Sequence, residues 1–169
     1  MLINLETIPP FYKNYVKQLD DTDMLTALRI SGFRTMELVH SIPDKKSDYR
    51  YAEGKWSIRE VLCHMQDAER IFSYRALTFA RNDKTRLPGF EEKDYAPQAN
   101  AAGRNLKKIA DEMQHLRSST IDLFESFTEE MLVRRGNANN NEMSVMAIGF
   151  IIAGHETHHA NILKERYLN

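Results

Sequence analysis

The segment Gly154-His155-Glu156-Thr157-His158-His159, near the C-terminal end of the 169-residue chain, groups the side chains best suited to chemistry. Ile148, Ile152, His155, His159 and Ile162 recur at steps of four, three, four and three, the spacing of a helix stripe that faces a core. His155 and His159 are therefore about 40° apart around the axis and about 6 Å apart along it. Rings so placed can share one ion at the ~2.1 Å of zinc-type ligation. The alternative is a pair of core histidines satisfied by hydrogen bonds. Two such rings in adjacent turns then need partners for every buried nitrogen.

Residues 155–159 also fit the His-Glu-x-x-His pattern of zinc proteases, with Glu156 in the general-base position. So short a pattern recurs by chance, and the protease helix lies beside a sheet for which this chain carries no strand signal. Glu156 is expected about 100° from His155, toward the flank. His158, about 60° from His155, is expected on the flank or behind the ligands.

A third ligand has to come from another helix. His40 and His115 lie on polar or terminal helix surfaces and read as solvated. His64 follows Val61 and precedes Ala68 on the inner edge of its helix, so it can face the interior. Three imidazoles from two helices would hold zinc, nickel, cobalt or iron(II) and leave positions open for water or substrate, as a catalytic ion requires.

Four long amphipathic helices must position these rings. The first is expected from about Thr22 to Ser41 on Leu25, Leu28, Gly32, Met36 and Val39, with close packing of a neighbour accounting for Gly32. The second opens at a capping box, Ser57 to Glu60, with Trp56 and Val61 placed as a hydrophobic staple, and runs to about Arg81. The third is expected from near Asn100 to Ser126, and the fourth from a Ser144 cap to about Tyr167. A shorter helix, residues 8–19, precedes them behind Pro9 and Pro10. Residues 82–97 form a long connection, functional or a crossover. Residues 134–141 read as a turn-rich loop, and no sheet is expected. The fold class is all-α, a helical bundle, with residues 1–169 forming a single domain.

Lys and Arg number 23 against 24 Asp and Glu, so no basic stripe argues for nucleic acid. No run approaches the ~20 apolar residues of a membrane span, and the N-terminus lacks a signal peptide's pattern. A cytoplasmic protein with no membrane partner is expected. Cys63, the single cysteine, reads as a small packed hydrophobe.

The run Gly54-Lys55-Trp56-Ser57-Ile58-Arg59-Glu60-Val61-Leu62-Cys63-His64, followed by Asp67-Ala68-Glu69-Arg70, resembles the second-helix signature of the DinB/YfiT-like superfamily. Gly154 to His159, continued by Ile162-Leu163 and Arg166-Tyr167, resembles its closing helix, and Leu87-Pro88-Gly89-Phe90 the loop of one branch. The resemblance implies a four-helix bundle with a crossover connection and a divalent metal at one end. Its three ligand positions match His64, His155 and His159. It also implies a homodimer, a small-molecule substrate, and the chemistry of relatives that include bacillithiol- or mycothiol-dependent S-transferases, a mycothiol-dependent isomerase and proteins labelled metal-dependent hydrolases. The ion would lower the pKa of a low-molecular-weight thiol.

The resulting expectation is an enzyme, a thiol S-transferase or a hydrolase, with one divalent ion (zinc, nickel or iron(II)). The rival is a stress-related binding or dimerisation module in which the ion or the histidines only stabilise the bundle. Asp67 and Glu69 are candidates to orient His64 by accepting from its second ring nitrogen, or are plain surface charges. Trp56 is the staple or a pocket wall. Arg59 and Arg166 would meet an anionic substrate or solvent.

Overall fold

Along the chain the helices are α1 (Lys13–Val16), α2 (Met24–Ser41), α3 (Ile58–Ala80), α4 (Glu92–Gln98), α5 (Leu106–Glu125), α6 (Glu129–Val133) and α7 (Val145–Ile162), the last running into a π-helical turn, Leu163–Tyr167. The computed structural model describes residue 2 and residues 4–168. Each long helix starts at a side-chain cap. Asp23, Ser57, Asn105 and Ser144 accept from the amide three residues on, which satisfies a donor that a helix start leaves orphaned. At Ser57 the capping box is complete, because the Glu60 carboxylate accepts from the Ser57 amide at 2.6 Å.

Around the bundle the order is α2, α5, α3, α7, so the successive helices α2 and α3 are diagonal partners. Directions follow from the contacts. Along α3 and α5 the numbers rise together, from Gln66 on Ile109 to Ser73 beside Thr120, so these two helices are parallel. On α2 and α5 they run oppositely, with Arg29 paired to Glu125 and Val39 beside Leu106. His64 lies against His159 and Phe72 against His155, so α3 and α7 are antiparallel. A chain that leaves α3 must therefore travel back about 35 Å, the length of a 23-residue helix, before α5 can begin parallel to it. Residues 81–105 make that crossover.

The crossover is more structured than its sequence suggests. It contains α4 and a 3-10 turn, Ala101–Gly103, so α5 begins at Leu106 and not near Asn100. Asn100 adopts φ 49°, a left-handed conformation that stops α4 from continuing. The first helix is likewise shorter than expected: residues 5–7 and 10–12 are 3-10 turns and only Lys13–Val16 is α-helical.

The absence of any sheet is corrected by the structure. Residues 134–141, expected as a loop, contribute to an antiparallel hairpin of β1 (Arg135–Ala138) and β2 (Asn141–Ser144). Its two-residue turn, Asn139-Asn140, has φ of 51° and 58°, as a type I′ turn requires. Ala138 and Met143 are fully buried beneath it, and Leu87 of the crossover pairs with its edge through Asn137 and Asn139. Strands of four residues are too short for a period-two pattern to stand out.

Two glycines mark close approaches. A Cβ on Gly32 would lie 3.0 Å from Arg117 Cγ, so a neighbouring helix does account for that glycine. A Cβ on Gly154 would lie 2.7 Å from the Tyr15 carbonyl carbon and 2.9 Å from the Val16 nitrogen, and backbone cannot step aside as a side-chain tip can. Gly154→Ala is expected to cost about 1–3 kcal/mol as an overpacking change, read as a lower urea midpoint at unchanged slope.

Candidate metal centre

His64 sits in the second turn of α3, and His155 and His159 occupy successive turns of α7 directly across from it. The Nε2 atoms of His64 and His155 are 3.1 Å apart, and those of His159 and His155 are 3.2 Å apart. One ring nitrogen carries one hydrogen or one lone pair, so His155 Nε2 cannot make two good hydrogen bonds in those directions. Converging lone pairs suit an ion instead. Two ligands at ~2.1 Å from one ion can lie up to about 4.2 Å apart, and the 3.1 and 3.2 Å separations fall inside that reach. The three ligand atoms all lie within 4.8 Å of one another.

Burial keeps the rings neutral. It pulls His64 down to about 4, and it pulls His159 to about 3 with help from the neighbouring His64 and His158 rings. His155 is held well below 6.5, by burial first and then by the rings around it. At neutral pH all three present lone pairs. Each ring binds its proton less tightly when folded than when unfolded, so the associated stability is complete above pH 6.5 and is lost as pH falls toward the folded values. The metal-free protein should therefore show a urea midpoint that declines between pH 6.5 and about 4, and His64→Asn should make the decline shallower.

Above the imidazoles opens a cleft of about 180 Å³ with aromatic walls, among them Tyr15, Trp56, Phe72 and Phe90. The Trp56 ring centre is 4.9 Å from that of His64, so this residue forms a pocket wall. Tyr15 lies 5.4 Å from His155, and burial, with Glu92 adding to it, raises its phenol pKa, so it stays a proton donor.

The remaining sequence candidates are placed elsewhere. Asp67 lies 3.7 Å from Arg70, and Glu69 is gripped by Arg117, so neither carboxylate takes the place of an acceptor for the second ring nitrogen of His64. His158 is on the flank, its Nδ1 3.1 Å from Gln18 Nε2. His40 and His115 are exposed. Arg59 reaches Asp48 and the Ala102 carbonyl, and Arg166 the Tyr51 hydroxyl. Cys63 is buried beside Arg104, and burial raises its thiol pKa, which fits a packed residue and not a nucleophile.

What the sequence reading missed is the ion network next to this cluster. Arg117 donates Nε and Nη2 to the two Glu69 oxygens at 2.9 and 2.8 Å, and Nη1 to Glu156 at 2.6 Å. Nη1 also reaches the Leu28 carbonyl and the Ser31 hydroxyl. Glu156 is thus buried and paired, and burial raises its pKa while Arg117 opposes the rise. It does not occupy a free general-base position. A signal existed: Met113, Arg117, Thr120 and Phe124 form one buried stripe of α5, and a charged residue within it demands partners.

A family model described as the DinB superfamily matches residues 27–163. An Oceanobacillus iheyensis protein, provisionally named a metal-dependent hydrolase, is 28% identical over 135 residues, covering 78% of this chain and 76% of its own. The solved structure of YfiT from Bacillus subtilis, described as a probable metal-dependent hydrolase with an unusual four-helix bundle topology, superposes with a TM-score of 0.72 at 16% identity. That match covers 84% of this chain and 82% of YfiT, and at such identity it speaks for the fold alone.

Proposed function

Because this chain belongs to the DinB superfamily, we propose that it is a metal-dependent enzyme with one divalent ion on His64, His155 and His159. The reaction we favour is transfer of a low-molecular-weight thiol to a small electrophilic substrate, with hydrolysis as the second reading. The observation that carries the proposal is the meeting of three neutral imidazole nitrogens at an aromatic cleft. The likeness of residues 54–70 and 154–167 to a family with thiol transferases favours the thiol, and the relatives' names favour water.

A zinc, nickel or iron(II) ion held there supplies Lewis acidity that lowers the pKa of a thiol or of water toward neutrality. The chain's own groups do the rest. The histidines offer lone pairs without first losing protons. Trp56 and Phe72 line the cleft with apolar rings, which would keep bulk water off a substrate seated between them and so strengthen the electrostatic contacts it makes. The Tyr15 phenol, still protonated, can donate to negative charge that develops beside His155. The family resemblance of the two helices adds a homodimer to the proposal, and a cytoplasmic location is part of it. Among the described residues no helix is long and apolar enough to cross a membrane.

The test is to purify the protein without a tag, reconstitute it with zinc, nickel or manganese, and measure bound metal. Thiol transfer to a chromogenic electrophile and hydrolysis of a chromogenic ester follow. One ion per chain and metal-dependent turnover are expected, with both lost in His159→Ala. Wild-type protein that stays metal-free after reconstitution removes the enzyme reading. One bound ion that sets thermal stability and supports neither reaction favours a structural role.

A further inference from the structure

Arg75 is a buried charge for which the metal centre gives no use. It lies on α3 and is 2% exposed. Its Nη2 donates to the Pro88 carbonyl at 2.9 Å, its guanidinium carbon lies 5.2 Å over the Phe72 ring, and the Tyr12 phenol is beside it. None of the three is a carboxylate. The buried Arg117 has two carboxylates, whereas Arg75 is in no ion pair among the described residues. A buried cation without a counter-ion is costly, so its retention calls for a partner.

Its position says what that partner is. Arg75 lines the same cleft as His64, His155 and His159, and Phe72 is close to both, its ring centre 5.2 Å from the Arg75 guanidinium carbon and 6.5 Å from the centre of the His155 ring. Glu92 of α4 also lines the cleft and adds negative potential at Tyr15. In the metal-free cleft, one fixed cation and one fixed anion favour a singly charged ligand over a doubly charged one. We infer that the cleft takes a small monocarboxylate, its carboxylate on Arg75, its apolar body between Trp56 and Phe72, and its other end toward the three imidazoles. A guanidinium fork matches a carboxylate in shape as well as charge. This assignment names a substrate class for the proposed enzyme and rests on that reading only for the chemistry at the far end.

Trp56, the single tryptophan, stands in the cleft and reports binding directly. Benzoate, phenyl phosphate and the neutral benzamide are titrated into chelator-treated and zinc-reconstituted protein while Trp56 emission is followed. Metal-free protein is the reference because benzoate can ligate an ion by itself. Saturable benzoate binding is expected, at least tenfold tighter than benzamide and tighter than phenyl phosphate. Arg75→Met should weaken benzoate at least tenfold and leave benzamide unchanged, and Glu92→Gln should tighten benzoate severalfold. Equal affinity for benzoate and benzamide in the wild-type protein overturns the inference, and so does an Arg75→Met variant that is folded and binds benzoate normally. Tighter phenyl phosphate overturns the carboxylate assignment. If Arg75→Met does not fold, the benzamide comparison and Glu92→Gln decide. Arg75-dependent benzoate binding in protein that takes up no metal would sink the metal reading and keep this one. Metal uptake without benzoate selectivity would do the reverse.

Discussion

Arg117→Met is expected to destabilise the fold by about 3–5 kcal/mol, a large share of what a domain of this size possesses. The loss comes less from the missing attraction than from what stays behind, two buried carboxylates at Glu69 and Glu156 with no cation between them. In the variant both acids are easier to fold when protonated, so their folded pKa values lie above their unfolded ones. Stability tied to such groups is present at low pH and lost as pH rises, so the deficit should shrink on going from pH 7 to pH 5. Replacing all three residues together, as Glu69→Leu, Arg117→Met and Glu156→Leu, should recover most of the loss, because an apolar trio leaves no charge stranded. Urea unfolding of the two variants at both pH values provides the measurement. A single variant as stable as the wild type would contradict the buried network.

The second large effect is metal-linked stability. An ion bound by the folded chain alone stabilises it by about 4 kcal/mol when present at a thousandfold excess over its dissociation constant. For a chain of this length that corresponds to a rise of about 8–16 °C in melting temperature. Reconstituted wild-type protein should therefore melt that much higher than chelator-treated protein. His64→Ala should abolish the difference while the metal-free baseline remains measurable, because the ion would lose the one ligand that comes from α3. Lowering the pH should also reduce the shift, since protons and the ion compete for the same lone pairs. Calorimetric scans with and without chelator test both points. An undiminished shift in His64→Ala would place the ion elsewhere.

Much of this molecule is written locally. The Ser57 capping box, the Asp23 and Ser144 caps at helix starts, and the four apolar stripes are short-range patterns, set by hydrogen bonds and side-chain spacing within a turn or two. They identify the long helices and put His155 and His159 on one inner face. His64 on the inner edge of its own helix is legible in the same way, and the likeness to a family joined the three.

Other features depend on what meets what. The turn at Asn139-Asn140 makes a hairpin only because Leu87 and the buried Ala138 and Met143 give four-residue strands something to pair with and pack on. The parallel setting of α3 and α5 follows from the path of a crossover whose sequence shows mainly its length. Glu69 and Glu156 stand on different helices, and helical spacing places each on a flank; Arg117, from a third helix, turns both flanks into interior. Arg75 becomes a candidate anion site only where Phe72 and the crossover close around it. The sequence alone determined the four long helices and which imidazoles face inward, since those preferences are fixed by near neighbours along the chain. Only the tertiary structure decided which charges are buried and which are paired, because burial and partnership belong to residues far apart in sequence, and desolvation acts on a group only once other helices have covered it.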